Sequence, residues 1–388
     1  VLNMKSLAMV LACWTCALSA RRLQGDAWKL ATNGASKVHK WQPKPTSKES
    51  HEQRRFAWAR NPLKVFALLS LAFNPAFKTS GGVLVINRKS RADRRKWMEV
   101  GVDAMKQAGW DARFVEACDL NDVKWDDGGA RGSLHGVEHA SYNPAHSEDD
   151  IRRINRDFDA LGPAWEWPQR EDYYRKAANG GEVALIHSNF KCLRFALEQG
   201  WEWALILEDD CVPNAEDIFN AIDDGSWQQP DGREVVVRAW WEMMSEFECG
   251  VSELGDLHWD WIHLGQGHHS GYRGIVSDSL ARSGFDWGCQ AVAFSKEGAK
   301  SIVDRSKRLL NKLVAWDLML PTLQLGQDHP IEWYRKLWQH HYADDGENPS
   351  TALSFVFPLA NQFVINGKNR MAISDITYLD DQDLLIEQ

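Results

Sequence analysis

Five apolar residues run without interruption from Trp203 to Leu207 and end in three carboxylates, Glu208, Asp209 and Asp210, with Pro213 just beyond. A run this short suits a strand buried on both faces better than a core helix. Pro213 opposes simple continuation of its ladder. Residues 83–87 (VLVIN), directly after Gly81-Gly82, predict a first buried strand. Residues 88–109 predict a helix with Trp97, Val100, Met105 and Ala108 on its apolar side, and 114–117 a second strand. Helical spacing returns over 182–199, at Val183, Ile186, Phe190, Leu193 and Leu197, and Gly200 stops it as a C-cap residue should. Residues 259–264 and 290–294 read as strands, 296–313 as a helix, and a last β-like stretch is ALSFVFPLANQFV. Strands alternating with helices at this spacing predict an α/β domain with a mostly parallel sheet covered on both faces. Between them, residues 121–172 are polar, irregular and rich in Gly, His and Asp, which suits an active-site excursion or a disordered insertion.

The N-terminal part follows a different pattern. Lys5, a twelve-residue apolar run over 7–18 and the small pair Ser19-Ala20 resemble a secretory signal peptide. Residues 21–61 carry ten Lys and Arg against three acids. With the chain at −9 overall and Lys5 the only earlier charge, residues 62–388 hold a net −17. A body this acidic argues against nucleic acid as a partner. The basic stretch reads as a linker or second targeting segment, and a second apolar run at 65–73 as a helix docked on the domain or a membrane-surface anchor. The expected organisation is therefore a signal peptide over 1–20, a basic linker over 21–80 and one α/β domain over 81–388. Peripheral membrane association, and an organelle reached through a two-part leader, stay open. Two of the seven cysteines lie in the leader, which leaves an odd five without CxxC or zinc spacing, so no disulfide framework is expected.

The acids at the end of 203–207 are where chemistry is expected. Open α/β sheets bind ligands beyond the carboxyl ends of their strands. Clustered carboxylates there are best tolerated around a hard dication and a bound phosphate. An acidic turn that caps the next helix, with Asn214 as N-cap, is the plainer alternative. His263 on an apolar strand reads as a core histidine, and Cys211 as a small packed residue. His268-His269 suit a loop over a ligand better than a metal site, because adjacent side chains rarely converge on one ion.

Six blocks in order resemble glycosyltransferase family 25. VINRKSRADRR is similar to its VINL-x-x-R-x-x-R opening, keeping Asn87, Arg91 and Arg94 while Arg88 replaces the Leu. GGEVALIHSNF matches its G-E-x-G-C-x-x-S-H helix start at Gly181, Glu182 and Ser188, with Ala184 and Asn189 departing from it. WALILEDDCVP, WIHLGQ, QAVAFSKEGAKSI with AWDLMLP, and PLANQ with SDI follow over roughly 83–376. The resemblance implies a GT-A-like fold and transfer of a hexose, galactose or glucose, from a UDP-sugar to a glycan or protein hydroxyl with inversion. It also implies Mn²⁺ or Mg²⁺ held by Glu208 and Asp210, with Asp209 turned to the sugar or supporting the ligands. Asn87, Arg91, Arg94 and Ser188 would meet the nucleotide sugar. Asp317, among Trp316, Leu318 and Met319, is assigned as general base, with Glu182 as second choice. Trp287 and Trp316 are the aromatics allowed a sugar-stacking role. A metal-dependent nucleotide-sugar hydrolase and an inactive lectin-like protein on the same scaffold are the other readings.

Overall fold

The computed structural model describes residues 75–118, 180–214, 225–265, 272–284, 289–309, 315–329, 331–339, 349–355 and 359–362, together with Ile218, Ala221 and short strand segments at 124–125, 131–134, 137–140, 268–269 and 286–287. All belong to one compact unit of the chain. The signal peptide, the expected linker up to residue 74 with its apolar run at 65–73, most of 121–172 and the SDI block lie outside the described residues, whereas the last six residues of the expected linker, 75–80, form a helix whose Phe77 packs on the core of the domain.

A short helix α1 (Pro75–Ser80) leads into β1 (Gly81–Asn87), followed by α2 (Ala92–Gln107) and β2 (Asp111–Glu116). The segments β3 (Lys124–Trp125), β4 (Arg131–Leu134) and β5 (Val137–Ala140) make a small sheet of their own. Then come α3 (Gly180–Glu198), β6 (Trp203–Glu208), β7 (Cys211–Pro213) and α4 (Pro230–Leu254). After β8 (Trp261–His263) lie β9 (His268–His269), β10 (Tyr272–Ile275), β11 (Leu280–Ser283), β12 (Asp286–Trp287) and β13 (Ala291–Ser295). The last described elements are α5 (Lys296–Leu309), α6 (Trp316–Leu325), α7 (Glu332–Leu337), β14 (Ala352–Phe355) and β15 (Ala360–Gln362).

Eight strands form the central sheet in the order β10-β11-β14-β8-β13-β6-β1-β2. The sheet is mixed: β2, β1, β6, β8, β14 and β10 run one way, and β13 and β11 run against them. The α/β class is as expected, with antiparallel neighbours that apolar runs alone do not reveal. Side chains alternate between two cores, as period-2 strands require. Leu84, Ile86, Ala204, Ile206, Val292 and Phe294 pack on the face covered by α3, α5, α6 and α7. Val83, Val85, Leu205, Leu207, Ala291 and Ala293 pack on the face covered by α2 and α4. That two-sided burial is why each strand reads as a continuous apolar run.

Local sequence explains the joints. Gly81 and Gly82 lie beneath the indoles of Trp203 and Trp201, which a Cβ at either position would overlap. A Cβ at Gly101 of α2 would stand 2.6 Å from Trp240 of α4, so the glycine lets the two helices close on each other. Gly200 ends α3 at φ 70°, in the left-handed region that glycine enters without strain. Helix α4 starts with Pro at its first turn and is followed by Gly255 at φ 56°. Pro213 does not stop pairing. It closes β7, whose antiparallel partner is β15, with Val212 opposite Asn361. The five cysteines among the described residues are all buried as thiols, not joined in disulfides.

Candidate active site

Parallel strands β1 and β6 end side by side, with Ile86 opposite Glu208. Asn87 is thereby set next to the turn that carries the three acids. Asp209 is buried, and both of its oxygens are engaged. Oδ2 accepts from Asn87 Nδ2 at 2.8 Å and Oδ1 from Arg94 Nη1 at 2.8 Å. The same Arg94 nitrogen lies 3.4 Å from Asp210 Oδ2. Arg94 is only 5% exposed, in the first turns of α2. Burial pulls its pKa down, but Asp210 and Asp209 outweigh that, and the net shift is upward. Asn87 also donates to the Arg91 carbonyl at 3.3 Å, which ties the start of α2 to the end of β1.

Glu208 belongs to the same cluster with the opposite balance. Burial first, then Asp210, Asp317 and Asp209, push its carboxyl well above the usual range, and Arg94 is the one opposing charge among its main influences. Asp317 therefore reaches the acids from α6, although more than a hundred residues separate them in sequence. It sits in the first turn of that helix, half-buried between the buried Trp316 and Leu318. Burial raises the Asp317 pKa, and hydrogen bonding by Cys289 acts against that rise. The link is completed by strand register: the Glu208 N–H donates to the Gln290 carbonyl at 2.9 Å, just before β13. Cys211 lies fully buried beside these acids, and burial, Asp210 and Glu208 all raise its thiol pKa, so it is a packed, unreactive residue.

Four carboxylates thus share one region with a single guanidinium among the charges that govern Glu208. Among the described residues no three His, Cys, Asp or Glu side chains make a ready-made metal cage. Mg²⁺, however, is commonly held by one or two protein carboxylates and completes its shell with water and substrate phosphates. Glu208 and Asp210 supply hard oxygen donors and surplus negative charge, which fit such an ion or Mn²⁺. Asp209, with both oxygens already used, fits a supporting role.

The remaining expected residues are placed differently. Arg91 pairs with the exposed Asp93, at 3.0 and 2.9 Å. Ser188 is 1% exposed; its hydroxyl donates to Ala184 O at 2.7 Å and accepts from Cys118 N at 2.9 Å, which binds α3 to the end of β2. Asn189 donates back along the same helix to Leu185 O at 3.0 Å. Glu182 lies in the first turn of α3, and its side chain is outside the described residues. Trp316 cannot stack on a sugar. It is 1% exposed and packs edge-on against Phe190, because the helix start that presents Asp317 turns this indole into the core. Trp287 pairs in backbone register with His268, so the Gly/His loop is drawn to the strand that precedes Cys289. His263 is fully buried on β8, as expected of a core histidine. The residues that sequence reasoning misses are Cys289 and Gln290. Their only local signal is their position one step before a buried strand.

The chain matches no protein-family model and no curated protein sequence. The functional reading therefore rests on the residues themselves.

Proposed function

We propose that the protein is a metal-dependent, inverting glycosyltransferase of GT-A-like architecture that moves a hexose from a UDP-sugar to a glycan or protein hydroxyl. The leader-like sequence places it in the secretory-pathway lumen under this reading. The observation that carries the proposal is the meeting of Glu208, Asp210 and Asp317 where β6 leaves the sheet, with Asp209 pinned behind them. Glu208 and Asp210 would hold Mn²⁺ or Mg²⁺, which when bound stabilises the charge that builds on a diphosphate leaving group. Arg94 and Asn87 hold the acid turn against the end of β1. Asp317 is the remaining carboxylate of the cluster and takes the proton of the acceptor hydroxyl as that oxygen attacks the anomeric carbon. The bond to the diphosphate breaks on the opposite face, giving an inverted product. Partial desolvation strengthens Asp317 as a base.

The test is a panel of nucleotide sugars offered to the full chain with Mn²⁺, with and without acceptors, and then with excess EDTA. Turnover of a UDP-hexose that needs both dication and acceptor is the expected result. Acceptor-independent release would make it a hydrolase. Sugar binding without turnover would make it a lectin-like protein. A chain that neither binds nor turns over any nucleotide sugar overturns the proposal.

A further inference from the structure

We infer that the side-chain amide of Gln290 is a specificity-determining contact that reads a hydroxyl of the transferred hexose beside Glu208. This role rests on the transferase reading. Strand register brings the two side chains together. Ala291 pairs with Leu207, and the next pair outward is Gln290 with Glu208, whose N–H donates to the Gln290 carbonyl at 2.9 Å. Directly opposed residues of an antiparallel pair share a face, with Cβ atoms about 4.5–5.5 Å apart. Here it is the face of Ile206 and Val292, the one that α6 covers. The register has little freedom to slip, since β13 is paired on both sides, with β6 and with β8. Gly265, just after β8, makes room for the amide. Its φ is not positive, so backbone conformation does not call for glycine there. What matters is bulk: a Cβ at Gly265 would overlap Gln290 Nε2 and stand 2.9 Å from its Cδ.

The chemistry of the group selects its partner. Gln290 is only 3% exposed, yet among the described residues its carboxamide makes no hydrogen bond. Leaving a nearly buried amide in that state is costly, and a bound polar ligand removes the cost. A carboxamide offers two donors and an acceptor oxygen but carries no charge. It has nothing to set against a diphosphate, whose charge an ion at Glu208 and Asp210 would answer. A sugar hydroxyl both donates and accepts, which matches the amide, and a hexose joined to that diphosphate lies within one ring of the ion.

The experiment uses the full chain with Mn²⁺ and the acceptor that the nucleotide-sugar panel identifies. The donors are UDP-galactose, UDP-glucose and their monodeoxy analogues. In the wild type one deoxy donor should lose about ten- to a hundredfold in kcat/KM, because its missing hydroxyl leaves the amide unpaired. Gln290→Leu, of similar size, should impose the same loss on the parent donor and no further loss on that deoxy donor. Gly265→Ala, which crowds the amide from its place while Gln290 is still present, should reproduce this pattern, and it carries the test should the Gln290→Leu chain not fold. A Gln290→Leu enzyme with wild-type kcat/KM on every donor overturns the inference. So does a loss of equal size on the parent and on all deoxy donors, the mark of a merely structural role, or a wild type indifferent to every missing hydroxyl. In these cases the wild type still transfers hexose and the transferase reading stands. A wild type that turns over no UDP-hexose overturns both.

Discussion

Glu248 offers a measurement of buried charge that is independent of any activity. It lies on α4, is 2% exposed, and among the described residues nothing donates a hydrogen bond to its Oε1. Burial raises its pKa from 4.5 to about 7, with Lys78 of α1 the opposing influence. Lys78 is itself committed, donating to Ala108 O at 3.0 Å. Between pH 4.5 and 7 the folded protein keeps a proton on Glu248 that the unfolded chain has released. Stability therefore falls as pH rises through that window and levels off above it. A shift from 4.5 to about 7 corresponds to a loss of about 3 kcal/mol, at about 1.4 kcal/mol per unit, as a ceiling. Glu248→Gln removes the titration. Urea unfolding of the two proteins should agree within about 1 kcal/mol at pH 5, and at pH 8 the variant should be the more stable by up to about 3 kcal/mol. A variant whose advantage is the same at both pH values, or that is less stable at pH 8, refutes the account.

Asp317→Asn should leave donor affinity nearly intact and lower kcat by about 10²–10⁴-fold, the range for loss of a general base; wild-type turnover, or a product that keeps the donor's anomeric configuration, would exclude the assignment. Asp210→Asn, or excess EDTA, should abolish donor binding in calorimetry while the thermal transition stays close to wild type. Arg94→Met removes the buried counter-charge of Asp209 and Asp210 and should cost about 3–5 kcal/mol in urea unfolding; a loss below about 1 kcal/mol would mean that the acids do not depend on it. Gly82→Ala forces a methyl into the Trp201 indole, and a destabilisation of about 1–3 kcal/mol is expected.

What could be read from the chain follows how local each signal is. The strands VLVIN and WALIL announce themselves because both faces are buried, and Glu208, Asp209 and Asp210 follow one of them directly. The direction of β13 is invisible, since an apolar run looks the same whichever way it is threaded. Helix α4 goes unassigned from sequence because its first half holds VVVRAWW, rich in β-branched and aromatic residues, although Val236, Ala239, Trp240, Met243, Met244 and Phe247 keep helical spacing. The Arg94–Asp209 contact joins residues 115 apart, and no window along the chain contains both. A pair of arginines at a helix start reads as phosphate-binding, whereas the fold turns one onto buried carboxylates and the other onto Asp93. Trp316 shows the same limit: its neighbour Asp317 faces the acids, and one residue along a helix rotates a side chain to a different surface.

The pairing of Val212 with Asn361 sets a schedule for folding. The strand that leaves the acid turn finds its partner almost 150 residues later, a longer span than the 29 residues between β1 and β2 partners and somewhat longer than the 122 between β1 and β6 partners. Contacts that distant carry a high loop-closure cost and form slowly. On the ribosome, β1, β2 and β6 can meet while the rest is still being made, but the turn bearing Glu208, Asp209 and Asp210 gains its second anchor only after residue 362 has emerged. Until then a nascent chain has a formed sheet beneath an incomplete acidic cluster, and that interval is when the site is most exposed to mispairing.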